Sequence, residues 1–157
     1  MNPARLARFH DCPRYFICPL CHAELNLAGT SLRCPNRHTF DIAKQGYVNL
    51  APAAKQSQFY SKESFANRGR ILNAGYYSHI ASAVLAAVCT HCPANPRPAV
   101  LDAGCGEGFY ARAVQQANPQ ADVLAFDISK DSVQQAARED TSLAVCWFVG
   151  NLADLPL

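Results

Sequence analysis

Val100-Leu101-Asp102-Ala103-Gly104-Cys105-Gly106-Glu107-Gly108-Phe109-Tyr110 runs from a short apolar segment through an acid and three alternating glycines into a helical pattern. A strand that breaks into a tight turn has this form. Glycine at 104, 106 and 108 removes every second side chain, so the backbone can take positive φ and lie against a ligand with its N–H groups free to bind it. The natural guest is a nucleotide-type molecule. The dinucleotide fingerprint is G-x-G-x-x-G, whereas this loop reads D-x-G-x-G-x-G, and that spacing disfavours a nicotinamide-dependent oxidoreductase.

Working outward, Ala99–Ala103 reads as a first strand and Phe109–Ala117 as the helix after it. Asp122–Asp127 is a second strand, ending in an acid 19 residues beyond Gly108. A carboxylate at that strand end can accept both hydroxyls of a ribose, although an acid there also serves simply to start a helix. Ser129 is placed to cap a helix from Lys130 to Arg138, and Leu143–Val149 is a third strand. It leads into Gly150-Asn151-Leu152-Ala153-Asp154-Leu155-Pro156-Leu157.

The glycine loop with Asp102 ahead of it resembles motif I of class I S-adenosylmethionine-dependent methyltransferases, and the tail resembles their G-D-A-x-x-L-P-F motif, with Asn151 in place of the usual Asp. The resemblance implies a Rossmann-like α/β sheet with strands ordered 3-2-1-4-5-7-6. It also implies cofactor contacts from Asp102, Gly104, Gly106, Glu107, Gly108, Asp127, Asn151 and Leu152, with Gly106 and Glu107 beside the methionine part. An amide at 151 still accepts a hydrogen bond through its carbonyl oxygen. Residues 99–157 correspond to only the first half of that sheet, so the expectation is a truncated gene product or a fragment. Its first strand would be left with an unpaired edge. The catalytic residues, including any base for proton removal, are unknown.

Upstream, Cys18-Pro19-Leu20-Cys21, twelve residues, and Cys34-Pro35-Asn36-Arg37-His38 form C-x2-C-x12-C-x3-H. Two close pairs of this kind clasp one tetrahedral Zn2+, with Cys18, Cys21, Cys34 and His38 as ligands and no open catalytic position. Gly29 and Thr30 suit the turn of a hairpin between the pairs. So small a module needs the metal to fold. Cys12 and His22 read as bystanders, and Cys89, Cys92, Cys105 and Cys146 as small buried apolar residues. Eight cysteines in a chain with no visible export signal argue for metal and free thiols rather than a disulfide framework.

The run from Cys34 to Leu50, CPNRHTFDIAKQGYVNL, is similar to the C-P-x-x-H-x-F-D-x-A-K-x-G-Y-V-N-L segment of the 23S rRNA guanine-N1-methyltransferase family. In that family a zinc module helps bind an rRNA hairpin, and the resemblance implies the same for residues 18–50. Ala74-Gly75-Tyr76-Tyr77 resembles the family's A-G-H-Y segment, which makes Tyr77 a cofactor contact; Tyr76 replaces the usual His, and Arg68-Gly69 stands where Arg-Arg is usual. Charge agrees with a polyanionic partner. Residues 1–98 hold eleven Lys/Arg against four Asp/Glu, and residues 99–157 three against eight. A solvated basic face accounts for the charge alone equally well.

Tyr77, Ile80, Ala81, Val84, Leu85 and Val88 recur at helical spacing, which predicts a helix packed on the sheet and stopped by Pro93, Pro96 and Pro98. Ser61–Leu72 is a shorter helix carrying Lys62, Arg68 and Arg70. The domain plan is therefore a leader (1–17), a zinc-binding β-hairpin module (18–50), a linker (51–60), a helical connector (61–98) and a partial S-adenosylmethionine-binding domain (99–157). A cytoplasmic location without membrane contact is expected, since no apolar run approaches the ~20 residues of a span. Oligomeric state is left open, a homodimer included. Two other functions fit parts of the pattern: a zinc-dependent RNA-binding module without catalysis, and a methyltransferase acting on a small molecule.

Overall fold

Gly29, at φ +64°, and Thr30 turn the chain back between β1 (Asn26–Ala28) and β2 (Ser31–Arg33), with Ala28 opposite Ser31. β3 (Thr39–Asp41) then pairs antiparallel with β2, so the zinc module is a three-stranded sheet rather than a hairpin alone. The computed structural model describes residues 3–54, 61–92 and 97–157; linker residues 55–60, Pro93 and Pro96 lie outside the described residues.

The second sheet is parallel and has the order β4-β7-β6-β5, from β4 (Tyr47–Asn49), β5 (Ala99–Ala103), β6 (Asp122–Asp127) and β7 (Cys146–Val149). The expected 3-2-1 order of the methyltransferase half-sheet is present as β7-β6-β5. The addition is β4. Its residues belong by sequence to the zinc module, yet Tyr47, Val48 and Asn49 stand opposite Trp147, Phe148 and Val149 of β7. A bridge between Ile42 and Val48 ties the two sheets together.

That junction decides how the core is shared. Leu124, Phe126, Cys146 and Phe148 point to one face of the parallel sheet and pack with Phe9, Phe16, Leu25, Leu32 and Phe40 of the N-terminal segment. Val123, Ala125, Trp147 and Val149 alternate with them and meet the helices α4 (Phe109–Ala117) and α5 (Lys130–Glu139) on the other face. Burial on both faces explains why β6 and β7 are almost unbrokenly apolar. The N-terminal module thus does for one face what crossover helices do for the other.

The leader takes part in this packing. Its helix α1 (Pro3–Ala7) is followed by a 3-10 turn at Cys12–Tyr15. Arg8 donates to the Gly46 carbonyl and pairs with Asp140 at 3.4 Å, both side chains fully buried. Burial pushes the Arg8 guanidinium down to about 10, with Asp140 opposing. Asp140 in turn accepts from the Trp147 indole N–H at 3.0 Å.

Cysteine usage differs from expectation at three places. Cys12 and Cys146 form a disulfide across 134 residues of sequence, because the 3-10 turn sits on the face of β7 that carries Cys146. Neither is a free thiol. Cys89, expected to be buried, is exposed.

Of the helices, α2 (Lys62–Asn73) is capped by the Ser61 hydroxyl, which accepts from the Ser64 N–H. The apolar stripe of α3 (Ser78–His91) packs against α4 through half-buried Val84, Leu85 and Val88, and Val84 and Val88 line one cavity with Val100 and Leu101 of β5 and Val123 of β6. Ile80 remains 38% exposed. The third strand begins at Cys146, not Leu143, because the Asp140 carboxylate accepts from the N–H groups of Ser142 and Leu143 and holds a turn with Leu143 at φ +56°. Among the described residues no single helix is long and apolar enough to cross a membrane.

Candidate functional site

The metal cluster is assembled by two tight turns. Cys18 and Cys21 flank one, closed by the His22 N–H donating to the Cys18 carbonyl at 2.8 Å; Cys34 and His38 flank the other, with Arg37 at φ +67°. The four ligand atoms of Cys18, Cys21, Cys34 and His38 all lie within 4.8 Å of one another. His38 Nδ1 is 3.4 Å from both the Cys18 and Cys34 sulfurs, and the Cys21 and Cys34 sulfurs are 3.7 Å apart. A tetrahedral zinc with Zn–S bonds of about 2.3 Å requires sulfurs about 3.8 Å apart, so the donors fit the ion as they stand. Backbone donation from Ala23, aided by Asn36, holds the Cys21 thiol down to about 6, while burial pushes Cys18 up. Four protein donors leave no place for a substrate, which makes the site structural.

In the parallel sheet the glycine loop crosses the carboxyl ends of β5 and β6. Gly104, Gly106 and Gly108 all have positive φ, at +79°, +56° and +78°, for different reasons. A side chain on Gly104 would meet nothing within 4 Å, leaving open space beside the loop. On Gly108 a Cβ would lie 2.3 Å from Trp147 Cη2, so there the glycine serves packing.

Four of the loop's amides are already taken up within the protein, contrary to the expectation from its glycines. Gly104 and Cys105 donate to the Phe126 carbonyl, Gly108 to the Cys105 carbonyl, and Gly106 to Asp127 Oδ2 at 3.0 Å. A loop this tightly bound to β6 offers a ligand close approach rather than donors. What surrounds it is acidic. Asp102 Oδ2 and Glu107 Oε2 are buried without a hydrogen-bond partner, and Glu107 is only 1% exposed. Asp127, half-buried, also accepts from the Ser129 N–H at 2.8 Å, and Gly150 donates to its carbonyl. Asn151 therefore stands beside Asp127, its Oδ1 accepting from the Ala153 N–H, and Leu152 is 71% exposed. Tyr77 heads α3 with its ring 40% exposed.

Burial raises the Asp102 carboxyl above its usual 3.8; the charges of Asp127 and Glu107 add to this, while the Ala111 N–H and Arg68 oppose it. An acid raised on folding holds its proton to higher pH in the folded chain, so stability falls as pH climbs from about 4 through the raised value. Asp102→Asn, which stays neutral, is expected to melt at or above the wild-type temperature at pH 7, the difference vanishing at acid pH. Melting curves across pH check it; a variant less stable at pH 7 contradicts it.

Comparison with known proteins matches this geometry. The zinc-ribbon family described as "RlmA, N-terminal" matches residues 16–58, and a methyltransferase-domain family matches residues 100–157. Residues 16–58 are thus similar to an RlmA-type zinc ribbon, and residues 100–157 to a methyltransferase domain. Several relatives are named as methyltransferases of 23S rRNA. A 23S rRNA (guanine(748)-N(1))-methyltransferase of Streptomyces fradiae is 34% identical over 125 residues, covering 80% of this chain and 45% of that protein. A candidate 23S rRNA (guanine-N1)-methyltransferase of Micromonospora griseorubida is 37% identical over 153 residues, covering 86% and 52%. The chain spans about half the length of the curated relatives it matches. Among solved structures, a plantazolicin methyltransferase bound to S-adenosylhomocysteine shares 19% identity at a TM-score of 0.36, over 55% of this chain and 36% of that one, a loose likeness.

The RlmA-type ribbon and the loop domain account for different predicted residues. Cys18, Cys21, Cys34 and His38 converge in the ribbon. Asp102, Glu107 and Asp127 converge at the loop. The basic excess of the N-terminal half is partly consumed internally: Arg8 pairs with Asp140, Arg14 with Asp122, and Arg97 with Asp11 and Asp122. Arg33, Arg37 and Lys44 remain exposed on and beside the ribbon. By sequence Arg68 is only one of the cations on a short helix. Its ion pair with Glu107, at 3.5 Å, places it over the glycine loop, and only the crossing of α2 above that loop reveals this.

Proposed function

We propose that the chain binds S-adenosylmethionine at the glycine loop and serves the methylation of a guanine N1 in 23S rRNA, the RNA being engaged through the zinc ribbon. The observation that carries this reading is the single frame uniting the two sites: a Cys3His cluster on one face of a parallel sheet, and an acidic glycine loop at the carboxyl ends of its strands. S-adenosylmethionine supplies a methyl group on a sulfonium, which needs alignment with its acceptor more than activation.

This chain's residues supply the alignment. Asp127 is poised for the ribose hydroxyls, Asn151 and Leu152 for the adenine, and Tyr77 for the cofactor's flank, with Asp102 and Glu107 facing the cationic amino-acid end. Gly104, Gly106 and Gly108 let the backbone approach. Arg33, Arg37 and Lys44 are the cations that we assign to phosphates of an rRNA hairpin.

Transfer of labelled methyl from S-adenosylmethionine to guanine N1 of undermodified 23S rRNA, using the protein that contains this chain, tests the activity. Methylation of a small molecule in its place would overturn it. RNA binding is tested by titrating the hairpin at several salt concentrations. Replacing Arg33 and Arg37 together by alanine is expected to weaken binding and to reduce the salt slope by roughly 2, about 1 per phosphate contact. An unchanged slope refutes their assignment.

A further inference from the structure

With the amides of Gly104, Cys105, Gly106 and Gly108 already engaged, one part of the cofactor needs another partner. S-adenosylmethionine ends in an amino acid, which brings an ammonium and a carboxylate beside the cationic sulfonium. Asp102 and Glu107, each with a buried oxygen lacking a hydrogen-bond partner, suit the cationic groups. The carboxylate is a different matter. Anions at such loops are ordinarily taken up by backbone N–H groups, yet here the amides of Gly104, Cys105, Gly106 and Gly108 already donate to Phe126, Cys105 and Asp127. A carboxylate entering among Asp102, Glu107 and Asp127 without a cation would meet like charge in a half-buried setting, which is strongly unfavourable.

Arg68 meets the need. It projects from α2, which lies against the loop where Gly69 faces the Glu107 side chain. Its Nε pairs with Glu107 Oε1 at 3.5 Å, while Cζ and Nη1 both lie 3.8 Å from the point where a Cβ on Gly106 would stand. The side chain is 54% exposed against 1% for Glu107, so its terminal fork faces the open side of the loop. A guanidinium held on one edge by a buried carboxylate and open on the other is suited to a second, incoming carboxylate.

We infer that Arg68 is the carboxylate-binding residue of the cofactor site, holding the α-carboxylate of the methionyl moiety while Glu107 keeps the guanidinium in place. This rests on the reading of the loop as an S-adenosylmethionine site and adds a specificity: the site selects ligands that bear the carboxylate.

The test compares S-adenosylmethionine with its decarboxylated analogue, which keeps the adenosyl group, the sulfonium and the ammonium. Calorimetry is done on the full chain with native arginine and with Arg68→Gln. Native protein is expected to bind the carboxylated ligand roughly 10- to 100-fold more tightly, the range of a charge-assisted hydrogen bond. Arg68→Gln should lose that margin while its affinity for the decarboxylated ligand stays within about twofold, and Arg68→Lys should recover part of it. Equal loss for both ligands overturns the inference, because it would make Arg68 a support for the loop. Unchanged affinity for both overturns it too, and if the same variant weakens RNA binding instead, Arg68 is a phosphate contact. Failure of native protein to bind either ligand refutes the cofactor reading itself, an outcome distinct from the others.

Discussion

Alanine at position 108 is expected to destabilise the protein by about 3–5 kcal/mol, combining overpacking with a left-handed backbone that a Cβ disfavours. The added methyl would lie 2.3 Å from Trp147 Cη2, 2.7 Å from Cζ3 and 3.0 Å from the Ala136 Cβ, at a residue with φ +78°. None of these neighbours is free to yield. Trp147 is fully buried, and its indole N–H is held by Asp140, which is itself paired with Arg8. For a chain of this size the loss corresponds to a fall in melting temperature of roughly 10 °C. Gly104→Ala makes the informative contrast. Its Cβ meets nothing within 4 Å, so only the φ cost of about 1–2 kcal/mol applies, while the methyl intrudes where the cofactor is proposed to lie. Thermal melts together with S-adenosylhomocysteine titrations separate the two. A Gly108→Ala protein melting within 2 °C of wild type would show that the Trp147 contact does not constrain the loop.

Removing zinc is expected to have the larger effect and to reach well beyond the ribbon. Structural zinc sites contribute on the order of 10 kcal/mol to the fold that they close. In a self-contained module that loss would stay local. Here Leu25, Leu32 and Phe40 of the ribbon pack with Leu124, Phe126 and Phe148 of the parallel sheet, and β4 runs directly from one to the other. Chelation therefore uncovers the part of one face of β6 and β7 that the ribbon covers. The single tryptophan, Trp147, lies on the opposite face of β7 and reports on the sheet independently of the ribbon. Its near-ultraviolet signal should disappear in the same transition as the metal site. Persistence of that signal after complete zinc removal would mean that the sheet stands without the ribbon. Cys34→Ser should behave as partial chelation, lowering the melting point and the zinc affinity together.

Local signals in the sequence were sufficient for several elements. Alternating glycines after an apolar run placed the end of β5 and the start of α4, the short apolar run bounded by acids in Asp122–Asp127 placed β6, and the spacing C-x2-C-x12-C-x3-H identified a ligand set whose donor atoms lie within 4.8 Å. These features arise from neighbours in the chain: φ preference, a short unbroken apolar run and tight-turn geometry. Contacts across long stretches of sequence had no such signature. Tyr47–Asn49 reads as the tail of a zinc module because nothing nearby announces β7, its partner a hundred residues later. The Cys12–Cys146 disulfide and the Arg8–Asp140 pair are likewise products of the leader folding onto the sheet.

The glycine loop shows the same division. Its composition determined by itself that the backbone can come close to a ligand, since that depends only on missing side chains. Tertiary structure decided how the loop can bind: β6 and Asp127 take up the amides of Gly104, Cys105 and Gly106, and α2 brings Arg68 over Glu107. Hydrogen bonds and ion pairs of that kind depend on which strand and helix come to rest beside the loop, and this is settled only when the apolar faces of the sheet are covered.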